Sequence, residues 1–515
     1  MDFRTKNYEL LTTIYQLKKL KKPLAKPSEI RNLKKLLQSG ETSNILLGLQ
    51  LLPTYAQSPK LISTLLFLSY FHEDSTIQNR ARIFFLRLAP ARVRKEVLYS
   101  TLDPKKIFQV YKKLLKYPEI DGVELLQMLL IHNEYCQVKT VLLFCIEHKL
   151  DWTKVARQMT VNELTLVHKK ELHLLSRYSE HLINLSVKHL VISDLNLSSL
   201  PRQIGFIKTL QKLVASRNML SRLPNSLSEL KKLKTLYLSY NRLKSLPENL
   251  GNLPQLEEVH LNHNALQNLP ESIGQLQKLK VLHLSNNQLA TLPESFELLQ
   301  NLEELHLIDN RLTALPENFQ RLTRLKVLKL GGCNIASIKH QLEQLPWLEN
   351  LTVQNTRWTA LPEWIGNFTQ LQQLNVNRNY IRTLPQSLSS LQMLRDLNVS
   401  YNQLKVLPED LGSMSKLNNA TLEGNQLAEL PESIGQLEQI RFLHLGHNLL
   451  YTLPASIARL RNLETLILEY NQLNTIPIEA GDWPKLQTLL ITGNSIDLQE
   501  IGRLKSVLPQ AHIYY

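Results

Sequence analysis

One period governs most of this chain. Leu233, Leu256, Leu279 and Leu302 each open the same phrase, at intervals of 23 residues. The register runs without insertion or deletion through 14 units, starting at Val187, Leu210, Leu233, Leu256, Leu279, Leu302, Leu325, Leu348, Leu371, Leu394, Leu417, Ile440, Leu463 and Leu486. Apolar residues fall at positions 1, 4, 6, 11, 14, 18 and 21, asparagine holds position 9 in 11 units, and proline follows position 14 in 12. A fixed period of this length means modules that cannot bury an apolar face alone and must stack on their neighbours.

Each position has a physical reading. The alternation in Leu282, His283, Leu284 or Leu305, His306, Leu307 is a strand period. A strand so short is unstable by itself, which predicts parallel stacking with the leucines buried between units. The asparagine leaves the strand at a turn, where its carboxamide both donates to and accepts from backbone groups of adjacent turns. Proline then holds an extended backbone on the outer side, where no ladder needs its missing N–H. Strands about 4.8 Å apart on one side and bulkier segments on the other predict a curved stack.

The phrase LxxLxLxxNxLxxLPxxIGxLxx resembles the leucine-rich repeat family. It is most similar to intracellular arrays of the Ras-suppressor and plant Ras-group type and to bacterial arrays with 23-residue units. That resemblance implies an α/β solenoid, a horseshoe with a parallel sheet on its concave face, acting as a scaffold or adaptor that binds a protein there, with intracellular signalling as its setting. Three units break the asparagine ladder, at Leu195, Cys333 and Thr356, and Lys339 and Trp358 are further departures. Residues 325–361 are therefore either a tolerated irregularity or a change in curvature.

Positions 2, 3, 5, 7 and 8 face away from the leucines. They hold seven of the 15 histidines, His189, His260, His263, His283, His306, His444 and His447, well above their share of the chain. His260, His283 and His306 occupy position 5 of successive units, with Tyr237 before and Lys329 after. Three readings stay open: a solvated column, a partner-binding patch with Tyr237, Tyr240, Asp309 and Lys329 at its margins, and a metal site. The last is disfavoured because side chains in a row should not converge tetrahedrally. Position 2 reads Lys234, Glu257, Lys280, Glu303, Lys326, Glu349, which predicts charge pairing across the sheet. Later units present Asn375, Asn377, Arg378, Arg395, Asn398, Tyr401, His447 and Tyr470, types that make hydrogen-bonding and aromatic contacts. The candidate partner-binding residues are thus Tyr237, Tyr240, His260, His263, His283, His306, Asp309, Lys329, Arg378, Tyr401, His444, His447 and Tyr470.

Residues 1–186 lack the register. Their apolar residues recur at helical spacing in blocks such as SEIRNLKKLLQSG and STIQNRARIFFLRLAP, and predict an all-α domain. The stretch LLFLSYFHEDSTIQNRARIFFLRLAP resembles a HEAT-type repeat, with Asp74 preceding Arg80, Ala81 and Arg82. The expected division is a helical domain over 1–186, the array over 187–498 and a cap helix with a tail over 499–515. Of the net charge of +15, residues 1–186 carry +12, from 29 Lys and Arg against 17 Asp and Glu. Lys18, Lys19, Lys21, Lys22, Lys26, Arg31, Lys34 and Lys35 form a solvated face or the seat of an acidic partner, nucleic acid or a membrane surface.

The three cysteines, Cys136, Cys145 and Cys333, make no disulfide framework and point to a reducing compartment. The N-terminus has no uninterrupted apolar stretch of the secretory kind, and no apolar run approaches the roughly 20 residues of a membrane span, so the expected location is cytoplasmic. Phosphate-binding loops, HExxH and CxxC are absent. No cofactor and no small-molecule substrate are expected. An enzyme would have to sit, without a motif, in the helical domain.

Overall fold

A computed structural model describes residues 27–39, 41–55, 59–71, 74–94, 114, 116–118, 120, 121, 124, 163–165, 187–332 and 338–515. The three cysteines, the basic residues Lys18 to Lys26 and most of the later helices expected before residue 186 lie outside them. The chain divides into two compact units, Met1–Leu166 with Tyr178–Lys188, and Val167–Arg177 with His189–Tyr515.

The first unit contains the helices Pro27–Leu37, Thr42–Tyr55, Ile62–Phe71 and Ser75–Leu88, packed in consecutive pairs. Ile62–Phe71 is buried all round through Ser69: Leu65, Phe67 and Leu68 are fully buried, and the hydroxyl residues Ser63, Thr64 and Ser69 are buried with them, as a central helix requires. Asp74 starts the next helix: its carboxylate accepts from the backbone N–H groups of Thr76 (2.7 Å) and Ile77 (3.2 Å). Among the described residues no helix is long and apolar enough to cross a membrane.

In the second unit fifteen strands, from His189–Val191 to His512–Tyr514, pair in parallel in chain order. Most are three residues long. Position 4 meets position 4 across the sheet, as in Val259 opposite Leu282 and Leu282 opposite Leu305, and these side chains are fully buried. The outer side is a row of short 3-10 turns. Pro247 (φ −68°, ψ 141°) precedes Glu248–Asn252 and Pro270 (φ −70°, ψ 150°) precedes Glu271–Gln275, the extended conformation expected of proline here.

The asparagines bind the units together. Asn241 accepts the N–H of Leu220 (3.0 Å) and donates to the carbonyls of Ala215 (3.0 Å) and Leu238 (2.9 Å). The same set recurs at Asn287, Asn310, Asn402, Asn425, Asn448 and Asn471. Where Thr356 stands instead, its backbone N–H and its hydroxyl both donate to Asn379 Oδ1, at 2.9 Å each.

Position 8 takes a left-handed backbone in every unit. Eleven of these residues are not glycine, and their φ lies between 51° and 58°; Gly332, Gly424 and Gly493 hold the other three places. The conformation costs a residue with a Cβ about 1–2 kcal/mol. It persists because the flanking amides are committed to the next unit, as Tyr240 N–H is to Asn262 O at 2.8 Å.

A second device joins the outer turns. A Cβ placed on Gly205, Gly251, Gly274, Gly366, Gly412 or Gly435, all at position 19, would stand 1.8–2.6 Å from the carbonyl oxygen of a serine at position 17 of the next unit. Through the unit beginning at Ile440, every position 19 without glycine is followed by something other than serine: Ser228 by Asn249, Ser389 by Asp410, Ala458 by Glu479. Gly481, at the last junction, meets nothing and instead adopts φ 96°.

Residues 325–361 are irregular in a specific way. The strands Val327–Gly331 and Asn350–Gln354 are five residues long and pair over their full length. An α-helix, Lys339–Glu343, replaces the proline-led turn. Trp358 fills the leucine position and is buried. At the far end, helix Leu498–Val507 buries Ile501 and Leu504. The residues after it, expected as a plain tail, supply the strand His512–Tyr514, which pairs with Thr488–Leu490 because the HIY alternation offers one more edge partner.

Candidate functional site

The thirteen candidate residues separate into two rows. Tyr237, His260, His283, His306, Lys329 and His444 lie at position 5 on the inner sheet face, between buried position-4 and position-6 residues. Tyr240, His263, Asp309, Arg378, Tyr401, His447 and Tyr470 lie at position 8, beyond the strand ends. Sequence alternation merged the two because it carries no information on the left-handed turn that separates them.

In the first row the rings form a continuous stack. Tyr237 lies on His260 with ring centres 4.3 Å apart, His260 meets His283 edge-on at 4.5 Å, and His283 lies flat on His306 at 3.9 Å. Lys212 Nζ sits 5.1 Å above the other side of the Tyr237 ring. Packing leaves the three histidine side chains only 14–17% exposed. Burial first, and then the neighbouring His283, lowers the pKa of both His260 and His306 to about 4. Nearby Glu304 works against that shift but does not overcome it. His260 and His306 are therefore neutral at neutral pH, and the part-buried column is hydrophobic as much as polar, which differs from the solvated column considered from sequence.

Position 3 supplies what the sequence reading passed over. Glu304 shares a strand and a face with His306, two residues on, and its Oε1 lies 2.9 Å from His283 Nε2 and 2.7 Å from His306 Nε2. Glu258 is placed likewise beside His260, at 3.8 Å from Nε2. The signal was legible: a Glu-Leu-His triplet, Glu304 to His306, preceded 23 residues earlier by His283. The row was expected not to converge. A strand carries alternate residues on one face, so the second residue of the triplet's face closes the gap that a single column leaves open.

The position-2 charge ladder is discontinuous. Lys234 pairs with Glu257 at 3.6 Å and Lys326 with Glu349 at 3.0 Å, but Lys280 forms no ion pair among the described residues. The lysines are exposed and the glutamates half-buried, so each pair contributes at most about 1 kcal/mol.

The second row is more accessible. Tyr240, Tyr401 and Tyr470 are 51%, 45% and 54% exposed. Tyr240 stacks on His263 at 4.2 Å and His447 on Tyr470 at 4.6 Å, while Arg378 lies 5.6 Å from the centre of the Tyr401 ring. Tyr401 donates its hydroxyl hydrogen to Glu423 (2.5 Å), and that bond raises its pKa. On the sheet face, from Lys329 onward, is an open groove of about 560 Å³. Most of its polar walls are amides and hydroxyls, Thr352, Gln373, Asn375, Asn398, Asn419 and Thr421 among them, with the charges of Lys329 and Asp396 beside them. Such groups meet both the donors and the acceptors of an extended backbone, which suits peptide recognition better than a compact apolar ligand.

Comparison with known proteins agrees with this geometry. A family model described as a leucine-rich repeat region matches residues 248–358 and 323–426, and two further leucine-rich repeat models match 438–496 and 232–253. No enzyme family is among these models. Curated protein sequences give no significant match. Among solved structures, a leucine-rich repeat protein of Leptospira interrogans is 31% identical, with a TM-score of 0.64 over 70% of this chain and 92% of that one. The functional domain of InlJ from Listeria monocytogenes is 20% identical, TM-score 0.51, over 65% and 74% of the two chains. The Toll–Spätzle complex of Drosophila gives 20% identity and a TM-score of 0.50, over 64% of this chain and 47% of that one.

Proposed function

The chain belongs to the leucine-rich repeat proteins, and on that premise we propose that it is a non-catalytic scaffold that binds an extended segment of a partner protein along its inner sheet face. The observation that carries this reading is the open groove on the inner sheet face, lined largely by amides and hydroxyls, in the same units whose position-8 residues Arg378 and Tyr401 are exposed. Tyrosine and arginine contribute disproportionately to interface energy, because they bury large rigid surfaces and still hydrogen-bond. Toll, of similar fold, is seen in complex with Spätzle. The setting we infer is cytoplasmic signalling, with the HEAT-like helical region as a second contact surface.

The test uses the full chain. A partner captured by crosslinking from the native cytosol is purified and titrated against wild type, an Arg378→Ala/Tyr401→Ala variant and an outer-turn control, Glu248→Ala. The inner-face variant should weaken binding at least about thirtyfold, the effect of losing about 2 kcal/mol of hot-spot contact. Equal affinity for all three proteins would refute the reading.

A further inference from the structure

The histidine stack contains a bonding problem that its present neighbours do not solve. Glu304 Oε1 faces two imidazole nitrogens, His283 Nε2 at 2.9 Å and His306 Nε2 at 2.7 Å. Only the first is aligned as a hydrogen bond; His306 Nε2 is buried without a hydrogen-bond partner. One step along the stack, His260 Nδ1 and His283 Nδ1 are 3.0 Å apart, so one of them carries a proton. When His283 carries its proton on Nε2 and donates it to Glu304, its Nδ1 can only accept. His260 must then donate through Nδ1, which leaves its Nε2 as a bare lone pair. That atom is also buried without a partner, on the side of the Glu258 carboxylate. Two nitrogens of this column are thus unsatisfied at once, in a place where burial makes each costly.

We propose that His283, Glu304 and His306 form a binding site for a single divalent transition-metal ion of the zinc type. The three ligand atoms come from two adjacent strands and lie within 4.8 Å of one another. Two imidazoles and one carboxylate are a borderline-soft nitrogen and oxygen set, which selects zinc, cobalt or nickel over calcium or magnesium. An ion would replace the proton on His283 Nε2 and use the lone pair of His306 Nε2, with one of the two rings, which lie flat on each other at 3.9 Å, turned so that both in-plane lone pairs point at it. His283 then carries its proton on Nδ1 and donates it to His260 Nδ1. His260 in turn carries its proton on Nε2, facing Glu258. The coupled tautomer shifts at His283 and His260 turn the His260 Nε2–H toward the Glu258 carboxylate, 3.8 Å away, while the ion takes up the His306 lone pair, and they give the metal-bound His283 the outer hydrogen bond that such ligands usually have. The ion's two positive charges meet Glu304 directly and Glu258 through His260; Lys329, on the next strand beside His306, opposes them. Three protein ligands leave the fourth position of a tetrahedral ion open toward the inner face. This site is independent of the partner reading, and its test involves no partner.

The experiment is calorimetric titration of the full, tag-free chain with Zn²⁺, and with Co²⁺ as a spectroscopic probe in visible absorption. Wild type should take up one equivalent with the intense absorption of low-coordinate cobalt. A His283→Gln/His306→Gln variant should lose at least about tenfold in affinity, and His444→Gln, on the same face, should not. Glu304→Gln, nearly isosteric, should show the same loss, and serves if the double variant fails to fold. Binding by Glu304→Gln equal to wild type, or no saturable single equivalent in wild type, would overturn the proposal.

Discussion

Asn402 allows the asparagine ladder to be tested one bond at a time. Its Oδ1 accepts from Ile381 N–H at 3.0 Å, and its Nδ2 donates to the carbonyls of Val376 (3.0 Å), Val399 (2.9 Å) and Ser400 (3.2 Å). Those carbonyls have other partners: Val376 O keeps Asn379, Val399 O keeps Asn425 and Ser400 O keeps Arg378 N–H. Only Ile381 N–H loses its side-chain acceptor outright. Asn402→Ala should therefore cost about 1–3 kcal/mol for one buried amide left unpaired, plus about 1 kcal/mol for the weaker shared bonds. Asn402→Asp keeps the acceptor but points a carboxylate oxygen at three carbonyls, and should be worse than alanine. Urea denaturation read by far-ultraviolet circular dichroism measures the global loss. Amide exchange at Ile381 measures the local one, which matters because a stacked array can open unit by unit. A loss below about 0.5 kcal/mol for alanine, or an aspartate variant more stable than the alanine one, would refute the assignment of the ladder as the principal tie between turns.

Two further outcomes follow from the same geometry. Burial lowers the pKa of His444 below its ordinary 6.5, against the pull of Glu423 at 3.6 Å. The unfolded chain therefore takes up this proton before the folded one, so the stability it contributes is complete above pH 6.5 and is lost as pH falls toward the folded value. The unfolding midpoint of His444→Gln should fall less steeply below pH 6.5 than that of wild type, and parallel slopes would contradict the burial argument. Gly274→Ala puts a Cβ 2.2 Å from Ser295 O, a backbone atom that cannot rotate away, and should cost about 1–3 kcal/mol in a denaturation measurement.

The array was legible because its signal is repeated: an apolar residue at position 4, leucine in all but two units, faces the core, and one unit predicts the next. The asparagine's double role was legible from the chemistry of a carboxamide. What escaped was pairwise rather than periodic. Glu304 matters through its pairing with His283 on the neighbouring strand as well as with His306, and the left-handed turn at Tyr240 or Tyr401 is taken by a residue type that ordinarily disfavours it, so the sequence there gives no sign of it. The glycine at position 19 was part of the recognised phrase, but its tie to the serine of the following unit emerged only when the carbonyl was seen to occupy the place of a Cβ. The helical region, with no period to average over, was legible only as helices.

That last tie bears on how such a molecule can change over time. Gly412 and Ser433 form a lock and key written 21 residues apart, in two different modules. Copying or deleting a stretch therefore succeeds only if its two cut ends belong to the same kind of junction. An array that looks like beads free to be restrung is closer to a sentence with grammar, in which each word limits which may come next.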